Sequence, residues 1–250
     1  MDFNFKKPTH ILSLTLILFT LFIFNLIPIL SFFGLITSMD ISQISPITDS
    51  YQQIFEIFIL LIQLILVICF LIIFPFLWYL LVNNCSIRQF FSRIRLIKEG
   101  INNAILWGII GSIIALGILM VIGVILTIVG FNLNDASNIQ DLELYFSPAT
   151  IIVLIILQPI AEEIFFRGFL LEKINSIYGE NIAILSTAGL FGIAHLTYGN
   201  AYPALMTGII GILLAYLVIK TKNLYSSITA HILFNVISFS LYTIGQSIGI

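Results

Sequence analysis

The chain has 250 residues, 60% of them hydrophobic and 9% charged, with a formal net charge of −2 and a mean hydropathy of +1.13. A soluble domain carries about 25% charged residues, so this composition excludes one, and with no basic tail the charge gives no reason to expect a nucleic-acid partner. Apolar runs longer than the roughly 18–20 residues that cross a bilayer recur without strand-like alternation, which excludes a β-barrel and predicts an all-α, polytopic integral membrane protein.

Seven spans are predicted, at about 11–37, 54–82, 103–131, 149–172, 182–199, 202–219 and 224–248, with six or eight allowed by the less distinct ends of the fourth and fifth. The first comes after Lys6 and Lys7, is too long for a signal-peptide core and lacks a small-residue cleavage site at its end, so it reads as an uncleaved span. The second is long enough to tilt, or to break at Pro75. After it, the segment 85–99 alternates basic residues with Phe, Ile and Leu, the pattern of an interfacial helix resting on anionic lipid. This layout gives two units: N-terminal membrane helices over 1–147, including a cytoplasmic basic interfacial segment at 84–100, and a C-terminal membrane unit over 148–250. Cys69 sits in an apolar run and Cys85 in the basic loop, so no disulfide or metal site is expected of them.

Charge orients the spans. With the N-terminus in the cytoplasm, Lys6, Lys7, Arg88, Arg93, Arg95, Lys98, Arg167, Lys173, Lys220 and Lys222 all fall on the inner side. The outer loops, 38–53 and 132–148, then carry Asp40, Asp49, Asp135, Asp141 and Glu143 and no Lys or Arg. The expected location is a cell membrane, crossed many times, with the lipid bilayer itself as a partner.

Ionisable groups at membrane depth are costly unless paired or hydrated, and so mark function. The first three spans hold only Glu56 and Gln63, which read as isolated. The last hundred residues hold Glu162, Glu163, Arg167, His195 and His231, with Asn235 beside them. Glu163 and Arg167 are one helical turn apart with the acid on the N-terminal side, the favourable order for a pair. Glu162 is turned about 100° away; it is left without a local partner and is free to act as a base or acid. Phe191 and His195 share one face of the fifth span, and His231 and Asn235 share one face of the seventh. At about 1.5 Å per residue all three groups lie between the inner leaflet and the midplane, so they can converge, with a site opening toward the cytoplasmic side. Pro159 precedes the acidic pair and can kink the helix there.

The order EExxxR, FxxxH, HxxxN on separate late helices resembles the CPBP family, also called Abi, which includes type II CAAX prenyl proteases and bacteriocin-immunity proteins. The resemblance covers about residues 150–240 and rests on Glu162, Glu163, Arg167, Phe191, His195, His231 and Asn235. It implies that 148–250 is a catalytic membrane unit of an intramembrane endopeptidase. Peptide hydrolysis needs an activated water and an oxyanion stabiliser. In this reading Glu162, with His195, activates the water, and His231 and Asn235 bind the oxyanion. Glu163, Arg167 and Phe191 support them. No cofactor is expected. Zinc held by Glu163, His195 and His231 is the alternative. A serine nucleophile is disfavoured, because Ser226, Ser227 and Thr229 read as the start of the last span. The implied substrate is a membrane-associated peptide or lipid-anchored protein, including a prenylated CaaX terminus. A non-catalytic immunity or scaffold protein, a transporter or proton relay, and a purely structural polar cluster are the competing readings. The transporter is disfavoured because the first half has no matching polar segment.

The predicted orientation is checked by single cysteines placed at Lys6 and Lys98 after Cys69 and Cys85 are replaced by serine. On intact cells a membrane-impermeant maleimide is expected to label neither, and on inverted vesicles both.

Overall fold

In a computed structural model, residues 3–36, 49–130 (side chains from 53), 146–196 and 200–248 are described. Every element among them is a helix. Six helices are long and apolar enough to cross a membrane: α1 (Pro8–Phe32), α2 (Gln53–Leu81), α4 (Ile101–Ile128), α5 (Pro148–Tyr178), α7 (Tyr202–Thr221) and α8 (Tyr225–Ile248). Between them lie α3 (Ile87–Arg93) and the shorter apolar α6 (Glu180–Ile193). The protein is therefore a multi-pass membrane protein. The predicted outer loops fall almost wholly outside the described side chains.

Two predicted elements are shorter than expected. The interfacial helix occupies only Ile87–Arg93, where Ser86 and Gln89 form a reciprocal capping box and Arg95, at φ 60°, turns the chain away. The predicted fifth span, 182–199, is helical only to Ile193, and its last residues, 197–199, lie outside the described residues. Its 14 residues rise about 21 Å, short of a hydrocarbon core about 30 Å thick. The histidine itself explains the stop. In a continuing helix the His195 N–H would bond the Phe191 carbonyl; instead it bonds Gly192 O at 2.9 Å, and the imidazole Nδ1 takes the Phe191 carbonyl at 2.8 Å.

Three helices contain a wide π-helical turn: Phe22–Leu26, Cys69–Ile73 and Ile164–Leu170. The second sits just before Pro75, whose ring and missing N–H disturb the preceding turn, and α2 runs on through it to Leu81. The third adds a residue to α5, rotating the rest of that helix by about 100°. All seven residues of that turn are buried.

The N-terminal helices are fixed to α5 by polar contacts, which corrects the reading of Glu56 and Gln63 as isolated. Glu56 Oε1 accepts from both the backbone N and the Oγ of Ser147, each at 2.7 Å, at the start of α5, where a carboxylate also meets the positive end of the helix dipole. Gln63 donates to Gln158 of α5 at 3.2 Å. At the other end, Asn223 Nδ2 donates to Ile97 O and Glu99 O, each at 2.9 Å, and Leu224 N donates to Arg95 O at 2.8 Å. The turn that starts α8 is thus tied to the basic loop. Cys69 and Cys85 are free thiols.

Small residues let the C-terminal helices approach closely, as expected where lipid supplies no hydrophobic force between helices. A Cβ on Gly192 of α6 would sit 2.6 Å from Ala204 O and 3.1 Å from Gly208 Cα, both backbone atoms of α7. A Cβ on Gly189, one turn earlier, meets nothing within 4 Å. Gly192→Ala is expected to cost about 1–3 kcal/mol by overpacking and Gly189→Ala to be neutral or slightly stabilising. Denaturant titration in mixed micelles reads the difference.

Candidate active site

Helix α5 delivers two neighbouring carboxylates in different directions. Glu163 is fully buried and Arg167 is 1% exposed. Arg167 Nη1 meets Glu163 Oε1 at 2.8 Å, so the pair expected from spacing forms. The guanidinium lies over the Phe191 ring, 4.2 Å from its centroid, and its Nη2 donates to Gly211 O of α7 at 3.3 Å. The fit there is tight: a Cβ on Gly211 would sit 3.2 Å from both Nη2 and Ala188 Cα, so one of them would have to give by a few tenths of an ångström.

The same Glu163 oxygen holds a histidine from another helix. His231 Nδ1 lies 2.9 Å from Glu163 Oε1. The acceptor is a carboxylate already bonded to Arg167, so Nδ1 carries the proton. The other ring nitrogen, Nε2, then faces Glu162 Oε2 at 3.8 Å. Glu162 and His231 are both largely buried, at 7% and 6% exposure. Thus α5 and α8 bring Glu162, Glu163 and His231 together.

Glu162 does have a local partner, contrary to the expectation from sequence. Gln158 Nε2, one turn earlier, donates to Glu162 Oε1 at 2.8 Å. The signal was present as a four-residue spacing, but Gln158 lies in an apolar run and carries no charge.

His195 lies in the turn after α6, partly buried. A carbonyl can only accept, so its bond to Phe191 O places the proton on Nδ1 and leaves Nε2 as the free nitrogen. Phe191 joins the two histidines: its ring packs edge-on to His195 at 4.7 Å and to His231 at 5.6 Å. Asn235, one turn beyond His231 on α8, is partly buried, and its side-chain amide makes no hydrogen bond to another described residue.

The donor set gives a specific test of the zinc alternative. Glu163 Oε1 is engaged by Arg167 and His231, while its Oε2 has no hydrogen-bond partner among the described residues. Among the described residues, no three His, Cys, Asp or Glu side chains are placed to share a metal ion. Glu163, His195 and His231 do not assemble as a ligand set.

An open groove of about 520 Å³ lies between α1, α2 and α5 and reaches α5 at Gln158, the partner of Glu162. Its walls include Ile23, Phe24, Phe55, Phe58 and Phe70, and its polar lining comes from Gln63 and Gln158.

Comparison with known proteins covers the segment that carries these residues. Positions 145–237 match a family model described as type II CAAX prenyl endopeptidase Rce1-like. YdiL of Bacillus subtilis (strain 168), named as a candidate membrane peptidase, is 34% identical over 145 residues, covering 55% of this chain and 56% of that protein. The match therefore spans little more than half the length of that relative. No solved structure matches.

The buried pair gives a direct prediction. Arg167→Met strands the Glu163 charge and is expected to destabilise the fold by about 3–5 kcal/mol. Adding Glu163→Leu is expected to recover much of that loss. Unfolding midpoints of the single and double variants in mixed micelles check both.

Proposed function

We propose, from the match of residues 145–237 to the type II CAAX prenyl endopeptidase Rce1-like family, that the chain is an intramembrane endopeptidase whose base is Glu162. The observation that carries this reading is the 3.8 Å gap between Glu162 Oε2 and His231 Nε2. One oxygen atom placed off the line between them can reach both at about 2.8 Å. Glu163 forms the ion pair with Arg167, whereas the side-chain partners of Glu162 among the described residues are an uncharged amide and this histidine.

In the proposed reaction Glu162 takes a proton from water as the oxygen attacks the scissile carbonyl. His231 and Asn235, one turn apart on α8, donate hydrogen bonds to the developing oxyanion. In this step His231 carries a proton on both nitrogens: Nδ1–H stays on Glu163, and Nε2–H turns to the oxyanion. Glu162 then returns its proton to the departing amine as the C–N bond breaks. His195 offers Nε2 to the attacking water from the other side of Phe191. Glu163 and Arg167 hold His231 in place and do not touch the substrate. Each of these steps uses a proton donor or acceptor of the chain itself, and the proposal is metal-free.

The substrate we assign is a membrane-associated peptide or lipid-anchored protein, with prenylated CaaX termini as the first class to test. The apolar groove between α1, α2 and α5, which reaches Gln158 one turn from Glu162, is the feature that supports an apolar ligand. The proposed placement is a cell membrane with the site reached from the cytoplasmic side. Residues 1–147 supply supporting helices and 148–250 the catalytic unit.

Cleavage of a farnesylated CaaX peptide by the purified protein in lipid vesicles is the test. Glu162→Gln is expected to abolish turnover, and Asn235→Ala to lower kcat by about 10²–10³ with little change in KM. Full turnover by Glu162→Gln would overturn the assignment of the base. Loss of turnover on chelation, restored by stoichiometric zinc, would overturn the metal-free proposal.

A further inference from the structure

Glu162 is held on the side away from His231 by two carboxamides in series. Gln158 Nε2 donates to Glu162 Oε1 at 2.8 Å, and Gln63 Nε2 of α2 donates to Gln158 Oε1 at 3.2 Å. Chemistry sets the direction of this chain. An ionised carboxylate only accepts, so Gln158 turns its NH2 toward Glu162. That leaves its carbonyl oxygen for α2, and Gln63 must answer with its own NH2. Each link fixes the orientation of the next.

The consequence falls on the two oxygens of one carboxylate. Oε1 is anchored by Gln158, and Oε2 is the oxygen that faces His231 Nε2. A glutamate with neither oxygen tied would swing about its side-chain torsions, and side-chain positioning on the scale of 1 Å is worth as much as about 10² in rate. Gln63 lies outside the family-matched segment, which begins at residue 145.

We propose that Gln158 is a positioning residue for Glu162 and that Gln63 acts only through Gln158, so that helix α2 completes the catalytic geometry from the N-terminal half. This rests on Glu162 being the base. A purely structural amide pair, gluing α2 to α5 as polar residues do in membranes, would affect stability and leave turnover per folded molecule untouched.

The test uses the full chain in lipid vesicles with Gln158→Met, Gln63→Met, the double variant and Glu162→Gln, and the same farnesylated CaaX peptide as probe. Gln158→Met is expected to lower kcat by about 10- to 100-fold with KM unchanged, and Gln63→Met to lower it less. In the Gln158→Met background, Gln63→Met is expected to change kcat no further. Infrared difference spectra of ¹³C-glutamate-labelled protein, referenced to Glu162→Gln, give a readout that needs no substrate. The Glu162 carboxylate band is expected to shift in both single methionine variants. An unshifted band in Gln158→Met overturns the proposal whatever the activity. So does an unchanged kcat in Gln158→Met where Glu162→Gln is dead, which leaves the proposed function standing. Independent, multiplying effects of the two methionine variants overturn the serial arrangement. Activity retained in Glu162→Gln strikes the base assignment instead, and the infrared band still decides the tether.

Discussion

The buried ion pair between Glu163 and Arg167 is the constraint on which the C-terminal helices depend. Two charges taken out of water are tolerated only when each is matched. Here the matching draws in three further helices. Phe191 of α6 covers the guanidinium face, Gly211 of α7 supplies a carbonyl and the space to reach it, and His231 of α8 shares the Glu163 oxygen. A pair that starts as an (i, i+4) contact on one helix thereby fixes the relative positions of four.

Adjacency in sequence separates the two glutamates in role. Successive helical residues point about 100° apart, so Glu163 turns toward Arg167 and Glu162 toward Gln158 and the far nitrogen of His231. His231 is the hinge between them, one ring nitrogen on each carboxylate. The π-helical turn that begins at Ile164 comes directly after this pair, and all of Ile164–Leu170 is buried among the neighbouring helices. That lets an arginine and three phenylalanines share one protein interior.

The N-terminal helices are more than a lipid-facing support. Glu56 caps the start of α5, Gln63 reaches Gln158, and the basic loop after α3 grips the turn before α8 through Asn223 and Leu224. Two of the elements that carry reacting groups in the proposed mechanism, α5 and α8, are therefore positioned in part by residues before 100. Much of the surface of α4 faces outward with Ile, Val and Met, including Met120 at 74% exposure and Ile128 at 80%, as a lipid-contacting helix does.

Composition and run length alone settle the class: a chain this apolar has to place its backbone in membrane helices, where every N–H and C=O is met within the segment. Spacing also settles the Glu163–Arg167 pair, because (i, i+4) contact is a local property of a helix. The EExxxR, FxxxH and HxxxN groups were visible for the same reason, as polar residues in apolar surroundings. Contacts between distant segments came from helix packing and from nothing local. That Glu56 caps α5, that Gln63 and Gln158 lead to Glu162, and that His231 bridges both glutamates all depend on helix rotation and register, which an apolar run leaves open. The end of α6 was also hidden, because an imidazole replaced a backbone N–H at the Phe191 carbonyl, and no hydropathy pattern records that exchange.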